Sequence, residues 1–506
     1  LGALAASAAT ATARPPGVEV ARLFGNMNKY AYYFTDLMVG SPYPQETSVI
    51  VDTGSRLLGF PCSGCDHCGH HIDAPFNLTS SKSARWLPCD SSCVGECVND
   101  QCTYRETYSE GSSISGRWFD DVVTLGDPDS HNAQVRARMG CHENENKLFY
   151  TQRANGIMGL APWGTDVSGG GGPAFILQDF FKDKAHVNSR VFSLCLASWG
   201  GELTVGGYDP SYHLPGSTVQ WTPMTAMHYY FVYPESLEFE GGSPSVLALK
   251  VAASNADFGA TIIDSGTTFT YLPSPVYHAL VNAINTKCGS GACGGATREG
   301  SCFRLRDPTR GPVGFPNLVM HLRGGARIEW PAHGYLHERG QAGVWCETFM
   351  ENNLFQTVLG ISWMLHKDVI FDIEKQRLGV VRANCPEHHK GSDYILQDEI
   401  VNARLGDALL RSADEARAML APTSFIGRHV GGCLVVAAGV MASIASISGW
   451  FLGALRMRTR ARRWGLGRER RPSALLPTDA ETACAAEAEE GNDILWTGHP
   501  FHVEPL

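Results

Sequence analysis

Val49-Ile50-Val51-Asp52-Thr53-Gly54-Ser55 and Thr261-Ile262-Ile263-Asp264-Ser265-Gly266-Thr267 are two copies of one pattern. Each begins with a run rich in β-branched residues, which predicts a buried strand. Each ends in Asp-(Thr/Ser)-Gly-(Ser/Thr), so the strand delivers a carboxylate to its end. The glycine two residues on permits a tight turn and a close backbone approach. The last hydroxyl is placed to hydrogen-bond the carboxylate it follows. A single Asp-Gly turn after a buried strand is common. Two copies 212 residues apart, with matching flanks, predict a duplicated unit giving one aspartate from each half.

Asp52 and Asp264 are therefore the candidate catalytic pair, with Gly54, Ser55, Gly266 and Thr267 as their support. Two carboxyls facing each other closely cannot both ionise, so such a pair holds one proton over a wide pH range. The ionised member can take a proton from a bound water while the protonated member donates to the carbonyl oxygen under attack. That chemistry is peptide hydrolysis, and it needs no metal, no other cofactor and no covalent intermediate.

A second echo follows. Asn155-Gly156-Ile157-Met158-Gly159-Leu160 comes after the first aspartate and Thr357-Val358-Leu359-Gly360-Ile361 after the second. The plain alternative is two ordinary buried strands. Taken with both Asp motifs, the arrangement resembles pepsin-like aspartic proteases, where an apolar-apolar-Gly segment threads beside each Asp-Thr-Gly loop. The resemblance implies a mainly β fold of two lobes, expected over 23–205 and 206–385. The run 371–381 resembles the strand pair that closes that fold.

The 506 residues suffice for two cores plus appendages. The 55 glycines suit a β-rich chain with many turns, and the formal net charge of −10 argues against a nucleic-acid partner. Of 16 cysteines, 14 lie between Cys62 and Cys385, an even number that suits an oxidised framework and an oxidising compartment. The other two are Cys433 and Cys484.

Residues 429–455 hold no Asp, Glu, Lys or Arg, a length that spans a bilayer with some tilt. A buried core helix is the alternative, but core helices are seldom so long or so uniformly apolar. Eight arginines follow between Arg456 and Arg471, which by the positive-inside rule puts that side in the cytosol. Everything before 428 is then luminal or outside, in agreement with the cysteines. A single-pass type I membrane protein of the secretory pathway is expected. Residues 1–22 read as a leader or propeptide remnant, 386–428 as a stalk and 456–506 as a cytosolic tail.

After the first aspartate comes a cysteine-rich insert, 62–102, opening Cys62-Ser-Gly-Cys65-Asp-His-Cys68-Gly-His70-His71. The spacing also fits a zinc knuckle. Luminal location and cysteine density favour disulfides, with connectivity open. Asn77-Leu78-Thr79 is a glycosylation sequon. Residues 104–119 read as a hairpin with Tyr108, Glu110, Gly111 and Ser112 at its tip.

Phe60-Pro61-Cys62-x-x-Cys65-x-x-Cys68-Gly69-x-His71, followed by Tyr108-x-Glu110-Gly-Ser-x-Ile-Ser-Gly116, narrows the resemblance. It is similar to the plasmepsin V type and its coccidian counterparts, membrane-anchored aspartic proteases of apicomplexan parasites. The resemblance implies a hairpin flap over the cleft with Tyr108 as its tyrosine. It also implies cleavage after Leu in Arg-x-Leu export motifs of protein cargo, with the arginine bound by Glu110 and Gln152. Opposed charges and a fork geometry make a carboxylate plus an amide a fitting partner for guanidinium. The composition is closer to the coccidian members, which favours Golgi over endoplasmic reticulum.

This chain also departs from the pattern. Ser109 stands where plasmepsin V has cysteine beside the flap tyrosine, and Gly59 stands where pepsins carry a tryptophan that hydrogen-bonds that tyrosine. Two other readings compete. One is a broad-specificity pepsin-like protease; the other is a dead receptor on the same fold, which both intact Asp motifs argue against.

Overall fold

The computed structural model describes residues 17–91, 93, 95–162, 176–240 and 255–390. The expected membrane span, most of the stalk and the cytosolic tail lie outside them. Among the described residues, no helix is long and apolar enough to cross a membrane.

The first half is built on strands β1 (Glu19–Asn26), β2 (Tyr32–Val39), β3 (Gln45–Asp52) and β4 (Leu58–Pro61), then β5 (Gln101–Thr107), β6 (Ser113–Leu125) and β7 (Gln134–Glu145). A five-residue helix α1 (Lys147–Thr151) leads to β8 (Gly156–Gly159). Helix α2 (Ile176–Lys182) and strands β9 (Val191–Leu196) and β10 (Gly201–Val205) complete it. The second half carries β11 (Ala260–Ile263), β12 (Thr270–Pro273), helix α3 (Ser274–Gly289), β13 (Gln356–Leu359), β14 (Lys367–Asp372) and β15 (Arg377–Arg382). The chain is mainly β, as expected.

The duplication is visible in the pairing. β3 runs parallel to β8, with Asp52 opposite Gly159, and β8 runs antiparallel to β4. β11 likewise runs parallel to β13, with Ile263 opposite Leu359, and β13 runs antiparallel to β12. In both halves the apolar-apolar-Gly strand lies between the strand that carries the aspartate and the one after it. These strands are buried on both faces, which is why they read as continuous apolar runs. Burying each Val or Ile contributes about 1.5–3 kcal/mol.

A longer sheet joins the halves. Between short end strands at Gln220–Pro223 and Glu96–Val98 its order runs β15-β14-β9-β10-β1-β2-β3-β8-β4-β7-β6-β5, so the last strands of the second half pair onto strand β9 of the first. The Cys195–Cys385 disulfide ties the same place.

All 14 cysteines before 386 are paired. Cys62 bonds Cys141 and Cys65 bonds Cys68, so all three sulfurs of the candidate zinc knuckle are spent in disulfides. Cys62 reaches outside 62–102, because β4 and β7 lie side by side. The expected leader also changes: residues 19–22 lie in β1, paired antiparallel to β10. Burial that alternates from Glu19 to Leu23 and is continuous to Asn26 gives that strand a reason to form, and a flexible leader lacks one. Asn77 precedes the turn Leu78–Ser80 and its Oδ1 accepts from the Thr79 amide and hydroxyl.

Candidate active site

Asp52 ends β3 and Asp264 follows β11 at a tight turn, and both side chains are buried at the floor of the same cleft. The loops that follow them grip one another. The Thr53 amide donates to Ser265 Oγ at 3.0 Å, and the Ser265 amide donates to Thr53 Oγ1 at 2.9 Å. Each hydroxyl then donates across the halves, Thr53 to the Ile263 carbonyl and Ser265 to the Val51 carbonyl. The second slot of Asp-(Thr/Ser)-Gly thus holds a hydroxyl in both copies for a reason the motif alone does not state. Ser265→Ala strands the Thr53 amide in a dry site, and a loss of about 1–3 kcal/mol is expected in the urea unfolding midpoint.

The carboxylates are oriented by their own loops. The Gly54 amide donates to Asp52 Oδ1 at 2.8 Å and the Gly266 amide to Asp264 Oδ1 at 2.8 Å. Thr267 Oγ1 donates to Asp264 Oδ2 at 2.6 Å. Ser55 is not its equal. Its buried hydroxyl faces Asp52 and Tyr108 but makes no hydrogen bond of normal geometry.

The two glycines serve the opposite carboxylate. A Cβ on Gly266 would sit 2.2 Å from Asp52 Oδ1, and one on Gly54 would sit 2.5 Å from Asp264 Oδ1. Neither adopts positive φ. Close approach, rather than turn geometry, demands glycine here.

Burial pushes both carboxyls above the usual carboxylate range, and for Asp52 the neighbouring Asp264 charge adds to it. Asp264 is held back by the Thr267 hydroxyl, Asp52 and the backbone amides. The pair therefore shares one proton.

The expected hairpin is β5 and β6, joined by a turn in which Gly111 adopts φ +85°. It brings Tyr108, Ser109 and Glu110 into the cleft with both aspartates. The Tyr108 ring packs 4.9 Å from Phe149, and its buried hydroxyl lacks a hydrogen bond of normal geometry. Gly59 explains part of this. A Cβ there would meet His142 Nε2 at 2.8 Å, so an imidazole occupies the space beside that position.

Glu110 and Gln152 both line the cleft. Glu110 Oε1 accepts from Ser112 Oγ, and Gln152 Nε2 donates to the Ala154 carbonyl at 3.1 Å. These bonds leave Glu110 Oε2 and Gln152 Oε1 as acceptors. The remaining wall is largely apolar: Ile50, Leu148, Phe149, Ile157, Phe269 and Val358. Thr53, Ser265 and Phe149 are the residues that sequence reasoning did not single out; the repeated hydroxyl was the available signal for the first two.

Comparison with known proteins gives a consistent picture. Residues 32–383 match the eukaryotic aspartyl protease family model. Aspartic protease 5 of Toxoplasma gondii is 30% identical over 417 residues, covering 72% of this chain and 38% of that protein. Plasmepsin V of Plasmodium falciparum is 26% identical over 451 residues, covering 72% of this chain and 73% of the relative. Nepenthesin-1 of Nepenthes gracilis, an aspartic proteinase, is 26% identical over 396 residues, covering 73% and 81%.

Proposed function

We propose, for a chain that belongs to the eukaryotic aspartyl protease family, that it is an endopeptidase in which Asp52 and Asp264 activate a water between them. The observation that carries this is the coupled buried pair, each member backed by the other half's glycine. The shared-proton scheme is general to this enzyme class and is applied here to these two residues. Asp264, the better stabilised anion, accepts the water's proton, and Asp52 donates to the scissile carbonyl oxygen. Tyr108 closes the cleft from above.

Specificity is proposed to be Arg-x-Leu, with cleavage after Leu. Glu110 and Gln152 supply acceptors for guanidinium, and the apolar wall suits Leu. Plasmepsin V and Aspartic protease 5 being among the relatives supports this reading. Glu110→Gln is expected to lower kcat/KM on an Arg-x-Leu peptide by about 10- to 100-fold, with little change on the Arg→Ala peptide. Equal cleavage of both peptides by the wild type would favour the broad-specificity reading instead.

The pH dependence has a definite sign. Asp52 must be protonated, so kcat falls on the alkaline side as the pair loses its last proton. A carboxyl whose folded pKa lies above its unfolded value binds its proton more tightly when folded. Its ionisation therefore costs stability as pH rises from about 4 through the raised value. Asp52→Asn is expected to flatten that part of a stability–pH curve followed by thermal denaturation.

The proposed setting is the secretory-pathway membrane, Golgi rather than endoplasmic reticulum, with the catalytic unit luminal and 429–455 as anchor. Seven disulfides suit an oxidising lumen. A glycan at Asn77 belongs to the same proposal, and a mass shift on deglycosylation tests it.

A further inference from the structure

The cysteine run that opens the insert brings two histidines to the back of the cleft wall. The chain between Cys62 and Ile72 lies along the end of β7 and the turn after α1. The Glu145 amide donates to the His67 carbonyl at 2.7 Å, and His67 Nδ1 donates to the Glu145 carbonyl at 2.7 Å. The His67 ring stacks on Tyr150 of α1 at 4.7 Å. The Ile72 amide donates to the Arg153 carbonyl at 2.8 Å.

At the centre is the Glu145 carboxylate, fully buried. It accepts from His142 Nδ1 at 2.8 Å, His71 Nε2 at 3.0 Å and the Gly69 amide at 3.2 Å. His71 Nδ1 lies 3.1 Å from the carbonyl oxygen of Gln152, the residue that follows α1 and lines the cleft.

Donor accounting sets the charges. A carbonyl oxygen only accepts, so His71 Nδ1 carries hydrogen. Burial pushes Glu145 up, but hydrogen bonds from His142 and His71 outweigh it and hold the carboxyl below its usual range. An ionised carboxylate also only accepts, so His71 Nε2 carries hydrogen too. An imidazole with hydrogen on both nitrogens is a cation. His142 differs: its buried Nε2 has no partner among the described residues, so the neutral Nδ1–H form suffices. One anion meets one cation, as a dry site requires.

We propose that His71 is a positioning residue for substrate selection, bridging Glu145 to the Gln152 carbonyl and so fixing the cleft wall that carries Gln152. Its partners are Glu145, which it shares with His142 on β7, and the backbone of Gln152 after α1. The proposal rests on the reading of Gln152 as a contact for the substrate arginine.

The test follows kcat and KM of the full chain on an Arg-x-Leu peptide and its Arg→Ala partner. His71→Gln should lower discrimination about tenfold, through KM, with unchanged kcat on the Ala peptide. Glu145→Gln keeps the shape and removes the charge that holds His71, so the same loss should appear; it carries the test if His71→Gln does not fold. Discrimination preserved in both His71→Gln and Glu145→Gln overturns the proposal. Gln152→Ala separates the premises. If it abolishes discrimination while His71→Gln does not, only the role of His71 fails. If Gln152→Ala leaves discrimination intact, the arginine reading fails and this proposal with it.

Discussion

Asp52→Asn is expected to lower kcat by about 10³- to 10⁴-fold while leaving the thermal midpoint at neutral pH unchanged or raised. The amide is isosteric, and its oxygen can keep the 2.8 Å bond from the Gly54 amide. Its nitrogen then faces Asp264 and donates to it, taking the place of the proton the pair shares. What asparagine cannot do is release a proton to the carbonyl oxygen. Rate and stability should therefore move apart. Peptide cleavage and differential scanning of the same preparation check this; a fall in both would mean that Asp52 acts chiefly as a structural group.

Gly266→Ala should be nearly as damaging for a different reason. The new methyl would stand 2.2 Å from Asp52 Oδ1 and 2.6 Å from its Cγ, far inside contact distance. The carboxylate must turn or the two loops must part, and misplacement of about 1 Å costs about 10²-fold in rate. Overpacking adds a stability loss of about 1–3 kcal/mol. Gly54→Ala is the mirror experiment against Asp264. Gly289, at the end of α3, has open space around its missing Cβ and no positive φ. Gly289→Ala is the control, expected to stay within about 0.5 kcal/mol. Urea midpoints and kcat on one peptide distinguish the three.

The strands that carry the dyad were legible because burial on both faces leaves an unbroken apolar run, and because the pattern occurs twice. The glycines were read correctly as sites of close approach, but what approaches them belongs to the other half and is invisible locally. Ser55 and Thr267 occupy equivalent slots, yet only Thr267 makes a hydrogen bond of normal geometry to its carboxylate; a tetrapeptide does not encode that difference in loop geometry. Cys62 sits three residues from Cys65 and bonds a cysteine 79 residues away. Spacing along the chain carries no information on such a choice. Glu145 had no signal at all, since nothing in a sequence marks an acid at the end of a strand as the acceptor for one histidine of that strand and another from an insert.

The pairing of β9 with β14 has a consequence for how the chain is made. Val191–Leu196 is almost entirely buried, but the strand that covers its outer edge is synthesised last. Cys195 must likewise wait for Cys385, 190 residues later. At ordinary translation speeds that is roughly 10–40 s. For that interval the finished first half shows an apolar, unpaired strand edge beside an unoxidised thiol, which invites association and wrong disulfides. A nascent chain arrested near residue 340 should therefore bind holding chaperones and thiol oxidoreductases at this edge, and one extended past residue 385 should not.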